Sequence, residues 1–258
     1  MKSIFAVTEY IIKQNFRNKI LNVLTIFSIF IVGFSLIISE LAQESEIRML
    51  KDFGLFSISM LSFITLLLSV TLQMFEETEL KTMHIIMVKP IKRSEYLIGK
   101  YLGTIITLFM NILFMLMVLM LVIQIRNSDP WDLNLLLSVF FIFLSLCIIS
   151  SVAILFSVVT TSVPACILFL FFTYVLGHLT IHLKNLVMNS GNQILKMIVD
   201  LIYYVVPNLE LFNFKNKLES TYGLIDTPYV SFVLLYSILY VIVILFLSIK
   251  YFEKKEFF

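Results

Sequence analysis

The chain has 258 residues, 60% of them hydrophobic and only 14% charged, with a formal net charge of +2 and a mean hydropathy of +0.99. An ordinary soluble domain carries about 25% charged residues, so that class is excluded. So small a net charge also argues against nucleic acid as a partner.

The first residues, MKSIFAVTEYIIKQNFRNK, are not expected to act as a cleaved leader, because Glu9, Lys13 and Arg17 interrupt any apolar core. Ile4, Phe5, Ile11, Ile12 and Phe16 recur at helical spacing with those charges opposite. This predicts an amphipathic helix lying in the membrane interface ahead of the first span.

Charge-free runs then mark the spans, since a crossing needs roughly 20 apolar residues at about 1.5 Å rise each. Twenty residues separate Lys19 from Glu40, 23 separate Asp52 from Glu76, 25 separate Lys100 from Arg126 and 23 separate Asp226 from Lys250. The 51 residues between Asp132 and Lys184 would make one helix of about 76 Å, more than twice a hydrocarbon core, so they must turn once. The expected turn is Thr160-Thr161-Ser162-Val163-Pro164, because proline favours a helix start and disfavours helix just before it. The chain is therefore predicted to be all-α, one transmembrane domain over 1–258 with six spans at about 20–39, 54–75, 98–124, 133–159, 164–182 and 228–250.

Six spans put both termini and the second and fourth loops on one side. That side holds twelve of the 19 Lys and Arg residues, so it is expected to be cytoplasmic. Residues 40–53 and 125–132 are read as short external turns, the second with a Trp131 anchor at the lipid surface. Residues 184–227 form the one long external segment, with a half-apolar helix over NQILKMIVDLIYYVVP that either caps the external face or lines an exit. Cys147 and Cys166 fall inside spans four and five, where they act as small hydrophobes.

Within the spans the only ionisable groups expected are His178 and His182. A transporter driven by an ion gradient usually carries carboxylates there. The two histidines sit four apart on one helical face, a spacing open to metal. A third ligand is lacking, since His84 falls on the cytoplasmic side, and hydrogen bonding at the interface is the favoured role. No G-x-S-x-G elbow and no G-x-x-x-x-G-K-[ST] phosphate loop occur. The chain thus shows no energy source of its own, and a membrane-embedded enzyme is disfavoured. An energy-independent channel or scaffold subunit is the main alternative to a driven transporter.

The exception to this oily character is the connection after span two. Glu76, Glu77 and Glu79 leave the membrane, with Glu77 and Lys81 spaced to pair on one helix face. TMHIIMV then supplies an apolar knob, Pro90 stops it, Ile91, Lys92 and Arg93 turn the chain, and Ser94 is placed to cap the next helix. Such an element suits a groove on a soluble partner.

ELKTMHIIMVKPIKRSEYLIGK resembles the first cytoplasmic loop of ABC transporter permeases of the type-2 exporter superfamily. Glu79, Thr82, Met83, Ile86, Met87, Pro90, Arg93, Gly99 and Lys100 match its pattern, while Leu80 and Lys81 depart from the usual Arg-Gly pair. ILFSVVTTSVPACILFLFFTYVLGHLT and YYVVPNLELFNF resemble the branch that includes permeases implicated in multicopper-enzyme maturation. The resemblance implies a coupling helix, with Glu79, Thr82, Met83, Ile86, Met87, Pro90 and Arg93 docking on a separate ATPase subunit. It further implies two permease chains, a homodimer in the simplest case, in a bacterial cytoplasmic (inner) membrane. ATP and Mg would be bound by the partner, so that this chain has no cofactor of its own.

Overall fold

The computed structural model describes residues 2–40, 46–79, 92–126, 132–188, 196–197, 199–200, 203, 205–213 and 227–254. These form helices α1 (Lys2–Arg17), α2 (Lys19–Glu40), α3 (Glu46–Glu79), α4 (Arg93–Ile125), α5 (Leu133–Val159), α6 (Val163–Met188) and α7 (Thr227–Lys254), with a short 3₁₀ turn at Leu209–Phe212. No strand occurs among the described residues. Helices α3 to α7 are each long and apolar enough to cross a membrane, and α1 with α2, meeting at a 66° bend, make a sixth crossing if the pair counts as one.

The helices satisfy their own backbone, the condition a bilayer imposes. Their hydroxyls do the same: Ser57, Ser138 and Thr104 each donate to the carbonyl four residues back, at 2.7, 2.8 and 2.9 Å. Helix α5 opens on Asp132, whose Oδ1 accepts from the Asn134 N–H at 3.0 Å. It closes at Thr160, whose N–H and Oγ1 both donate to the Phe156 carbonyl. Helix α6 starts three residues later with Pro164 in its first turn, so the turn falls where it was expected.

Helix α3 begins earlier than the charges near its start suggest. Glu46 to Phe53, read from sequence as loop, are already helical. Their charges find partners where the helices end: Lys51 Nζ lies 2.7 Å from Asp132 Oδ2, and Arg126 lies 2.8 Å from Glu40 and 3.7 Å from Glu46. These pairs bring the end of α2, the start of α3, the end of α4 and the start of α5 to one end of the bundle. At the other end Arg93 reaches the last turn of α7.

Helices α3 and α5 form the centre, with α2 and α4 against one or both of them and α7 laid on α5 and α4. Phe63 stacks on Tyr174 at 3.9 Å between ring centroids, joining α3 to α6. The 3₁₀ turn is clamped from two sides: Thr180 of α6 bonds Asn208 Oδ1, and Tyr236 of α7 accepts from the Asn208 N–H. The outward faces of α2, α4, α6 and α7 carry exposed Phe, Ile and Leu, as a lipid-facing surface requires.

Helix α1 packs one of its faces on the bundle. Phe5 and Phe16 are 80% and 56% exposed, while Val7, Thr8, Ile11 and Asn15 are buried. That face lies on Gly99 and Gly103 of α4, where an added Cβ would come within 2.8 Å of Val7 and 2.7 Å of Ile11 respectively. Two glycines four apart let helix backbones approach closely. Thr8 Oγ1 uses the proximity, donating to the Gly99 carbonyl at 3.2 Å. Residues 8, 11 and 15 meet 99, 103 and 107 in rising order, so α1 runs parallel to α4.

Candidate functional site at the base of the charged connection

Of the residues expected to couple, Thr82, Met83, Ile86, Met87 and Pro90 lie outside the described residues, as does the side chain of Glu79. The two helices that carry them are described, α3 up to Glu79 and α4 from Arg93.

Between these ends sits a pair of opposite charges withdrawn from solvent. Lys100 Nζ lies 2.8 Å from Glu77 Oε2, and the two side chains are 0% and 2% exposed. The Tyr96 hydroxyl donates to the same carboxylate oxygen. Lys100 also reaches the Tyr96 oxygen at 3.4 Å and the Met74 sulfur at 3.5 Å. Glu77 therefore turns inward to α4, while Lys81, its expected partner, lies outside the described residues. Taking two charges out of water is costly, and the arrangement persists because each charge has its counter-ion and a further polar contact.

The start of α4 is fastened on two more sides. Arg93 Nη1 donates to the Phe252 and Glu253 carbonyls at 2.9 and 3.1 Å, placing a cation at the negative end of α7. Phe252, fully buried, stacks on Tyr96 at 6.1 Å. Ser94 does not cap α4: the cap position is Lys92, which is extended and makes no side-chain cap bond, so Ser94 falls inside the first turn. On the α1 side Val7 packs against Gly99. Four helices, α1, α3, α4 and α7, thus converge on the ends of the connection. A load applied to it would reach all four.

Arg93 is the one predicted coupling residue whose contacts are described, and they run to α7. Glu77, Tyr96 and Lys100 were missed as a constellation. Lys100 served only to bound a span and to end the matched motif, and Glu77 was read as one of the glutamates leaving the membrane. The histidines do not converge: His178 Nδ1 is 3.9 Å from Glu210 Oε2 and packs edge-on against Tyr174, whereas His182 is exposed. Among the described residues no three His, Cys, Asp or Glu side chains gather as a metal site would need.

Residues 62–257, most of the chain and all of α4 to α7, match the family model described as ABC-2 family transporter protein. No curated protein matches the chain.

Proposed function

Because the chain belongs to the ABC-2 transporter family and is the permease subunit of an ABC transporter, we propose that it is driven by a separate ATPase that docks on the connection between α3 and α4. In this reading Met83, Ile86 and Met87 fill a groove on the ATPase, with Glu79, Thr82, Pro90 and Arg93 shaping the approach. ATP and Mg bind the partner, and this chain contributes the path through the bilayer. Two permease chains and two ATPases make the working exporter, with the connection and both termini in the cytoplasm of a bacterial cell. The branch resembling multicopper-maturation permeases fits the same assembly.

The observation that supports this reading is the buried Glu77–Tyr96–Lys100 cluster, which ties the ends of the connection to the core instead of leaving them loose. A loop that served only to fix topology would need basic residues but no such foundation.

The decisive experiment is Ile86→Asp with the ATPase co-expressed. An unpaired carboxylate at a packed contact costs several kcal/mol or forces a pKa shift. The variant is expected to insert normally, lose the ATPase in pull-downs and lose transport. An intact complex would assign the docking surface elsewhere.

A further inference from the structure

Beyond the connection, the described residues enclose a cleft of about 380 Å³ between α1, α2, α3 and α4. Its lining is mostly apolar and carries no charge, with amides and hydroxyls from Asn15, Thr25, Thr65, Ser69, Thr107 and Asn111 set into it. Its rim includes Ile26, Met110 and Phe114, which are exposed on the outward faces of α2 and α4. The cleft therefore opens sideways, to lipid.

Most of these polar groups are internally satisfied. Asn15 Nδ2 donates to Thr107 Oγ1 at 3.0 Å, and Asn15 Oδ1 accepts from Ser69 at 2.8 Å and from Gln73. Asn111 is the exception. It is 8% exposed, its Nδ2 donates to Thr65 Oγ1 at 3.2 Å, and its Oδ1 has no hydrogen-bond partner among the described residues. The orientation of this amide is fixed by its neighbour. The Thr65 hydroxyl already donates to the Ser62 carbonyl at 2.9 Å, so its oxygen can only accept from Asn111. What remains just behind the cleft wall is a buried acceptor with almost no open surface, which a small shift of the wall would present to a donor, and a buried acceptor is stable only when something donates to it.

We propose that this cleft binds an uncharged amphiphile drawn from the bilayer, with a hydroxyl or amide donor on Asn111 Oδ1 and its chain against Ile26, Met110 and Phe114. Among the described residues no Lys, Arg, Asp or Glu lines the wall, so a phosphate or ammonium headgroup would enter without a counter-charge, at high desolvation cost. Size agrees with one headgroup and the start of a chain, within the range of small-molecule sites. The site needs no ATPase, so it stands or falls separately from the docking reading.

The test uses the full chain in nanodiscs of phosphatidylcholine and a monoacylglycerol carrying a photoreactive diazirine on its acyl chain, with labelled residues mapped by mass spectrometry. Labelling is expected to concentrate at Ile26, Met110 and Phe114 and to be competed by monoolein, which has hydroxyl donors. Methyl oleate, which has none, is expected to compete about tenfold less well, the worth of one buried hydrogen bond. Asn111→Leu should weaken labelling by a similar factor. Should that variant fail to fold, Met110→Trp, a rim change that fills the cleft and leaves the network intact, is expected to abolish labelling. Labelling spread evenly over the lipid-facing helices would overturn the proposal, as would equal competition by methyl oleate. So would labelling that ignores Met110→Trp, or an intermolecular disulfide through Ile26→Cys showing that a second chain covers the cleft.

Discussion

Lys100 Nζ sits 2.8 Å from Glu77 Oε2 with neither side chain open to solvent, so the second turn of α4 is bonded to the last turns of α3 across a connection rich in charge. The pair is a single unit energetically. Removing one member leaves the other charge buried and alone, which costs about 3–5 kcal/mol, whereas removing both costs far less. Glu77→Gln and Lys100→Met are each expected to lower the melting temperature sharply in detergent, and the double variant to recover most of the loss. Single variants that melt like the parent would mean the pair is solvated in the membrane-embedded protein.

A second prediction concerns the approach of α1 to α4. Gly103→Leu places a side chain where Ile11 already stands 2.7 Å from the first added carbon. Overpacking of this kind costs about 1–3 kcal/mol, and the cheapest relief is to lift α1 away. Trypsin is then expected to cut at Lys13 and Arg17 faster than in the parent, with the remaining helices still assembled on size-exclusion chromatography. Unchanged cleavage rates would show that the helices yield elsewhere.

Topology is open to direct labelling. With Cys147 and Cys166 replaced, a cysteine at Asn189 is expected to react with an impermeant maleimide in intact cells, and one at Lys254 only after lysis. The proposed orientation is lost if the two sites exchange behaviour.

The opposite end of the bundle should respond to acid. Burial pulls the Asp132 carboxyl upward, but the hydrogen bond from Lys51, the Asn134 N–H and the Lys51 charge outweigh it and hold the group below the ordinary aspartate value. A carboxylate depressed in the folded state stabilises above its unfolded pKa of about 3.9, and that support fades as pH falls through the lower folded value. The pair is partly solvated, so its worth is about 0.2–1 kcal/mol. Asp132→Asn keeps a helix-capping side chain but removes the charge. It is expected to melt slightly below the parent at pH 7 and together with it near pH 3. A constant gap across that range would assign the effect to the cap.

Helix existence and the turn before Pro164 were legible because long charge-free runs and proline are strong signals at single positions. Span four, expected over 133–159, coincides with α5. Pairings between helices were not legible. Counting charge-free residues uses Glu76 and Lys100 as fence posts, so it cannot show that Glu77 and Lys100 turn inward and meet. It also placed Glu46 to Phe53 in a loop, because charges at a helix end look like loop until their partners on other helices are known. In α1 the apolar residues were assigned to the membrane interface, and their spacing did not show which face would pack on α4. Where lipid is the neighbour, Phe5 and Phe16 gain nothing by facing protein, and the surface with Val7, Thr8 and Asn15 is the one that fits two glycines. Gly99-Lys100-Tyr101-Leu102-Gly103 carried that signal in its spacing. The cleft left no trace in sequence, since a lone Asn in an apolar run does not say which helices surround it.

The seating of α1 on Gly99 and Gly103 has a consequence in time. Thr8 is bonded to a carbonyl 91 positions further along the chain, and a ribosome adding about 5–20 residues per second needs on the order of 5–20 s to supply it. For that interval α1 exists without its berth. Its own charges, with Lys13 bonded to Glu9 at 2.6 Å on the exposed side, let it rest where water meets lipid while α2 and α3 are threaded. Helix α1 thus locks only after α4 has been made, although α2 and α3 lie between them in the chain.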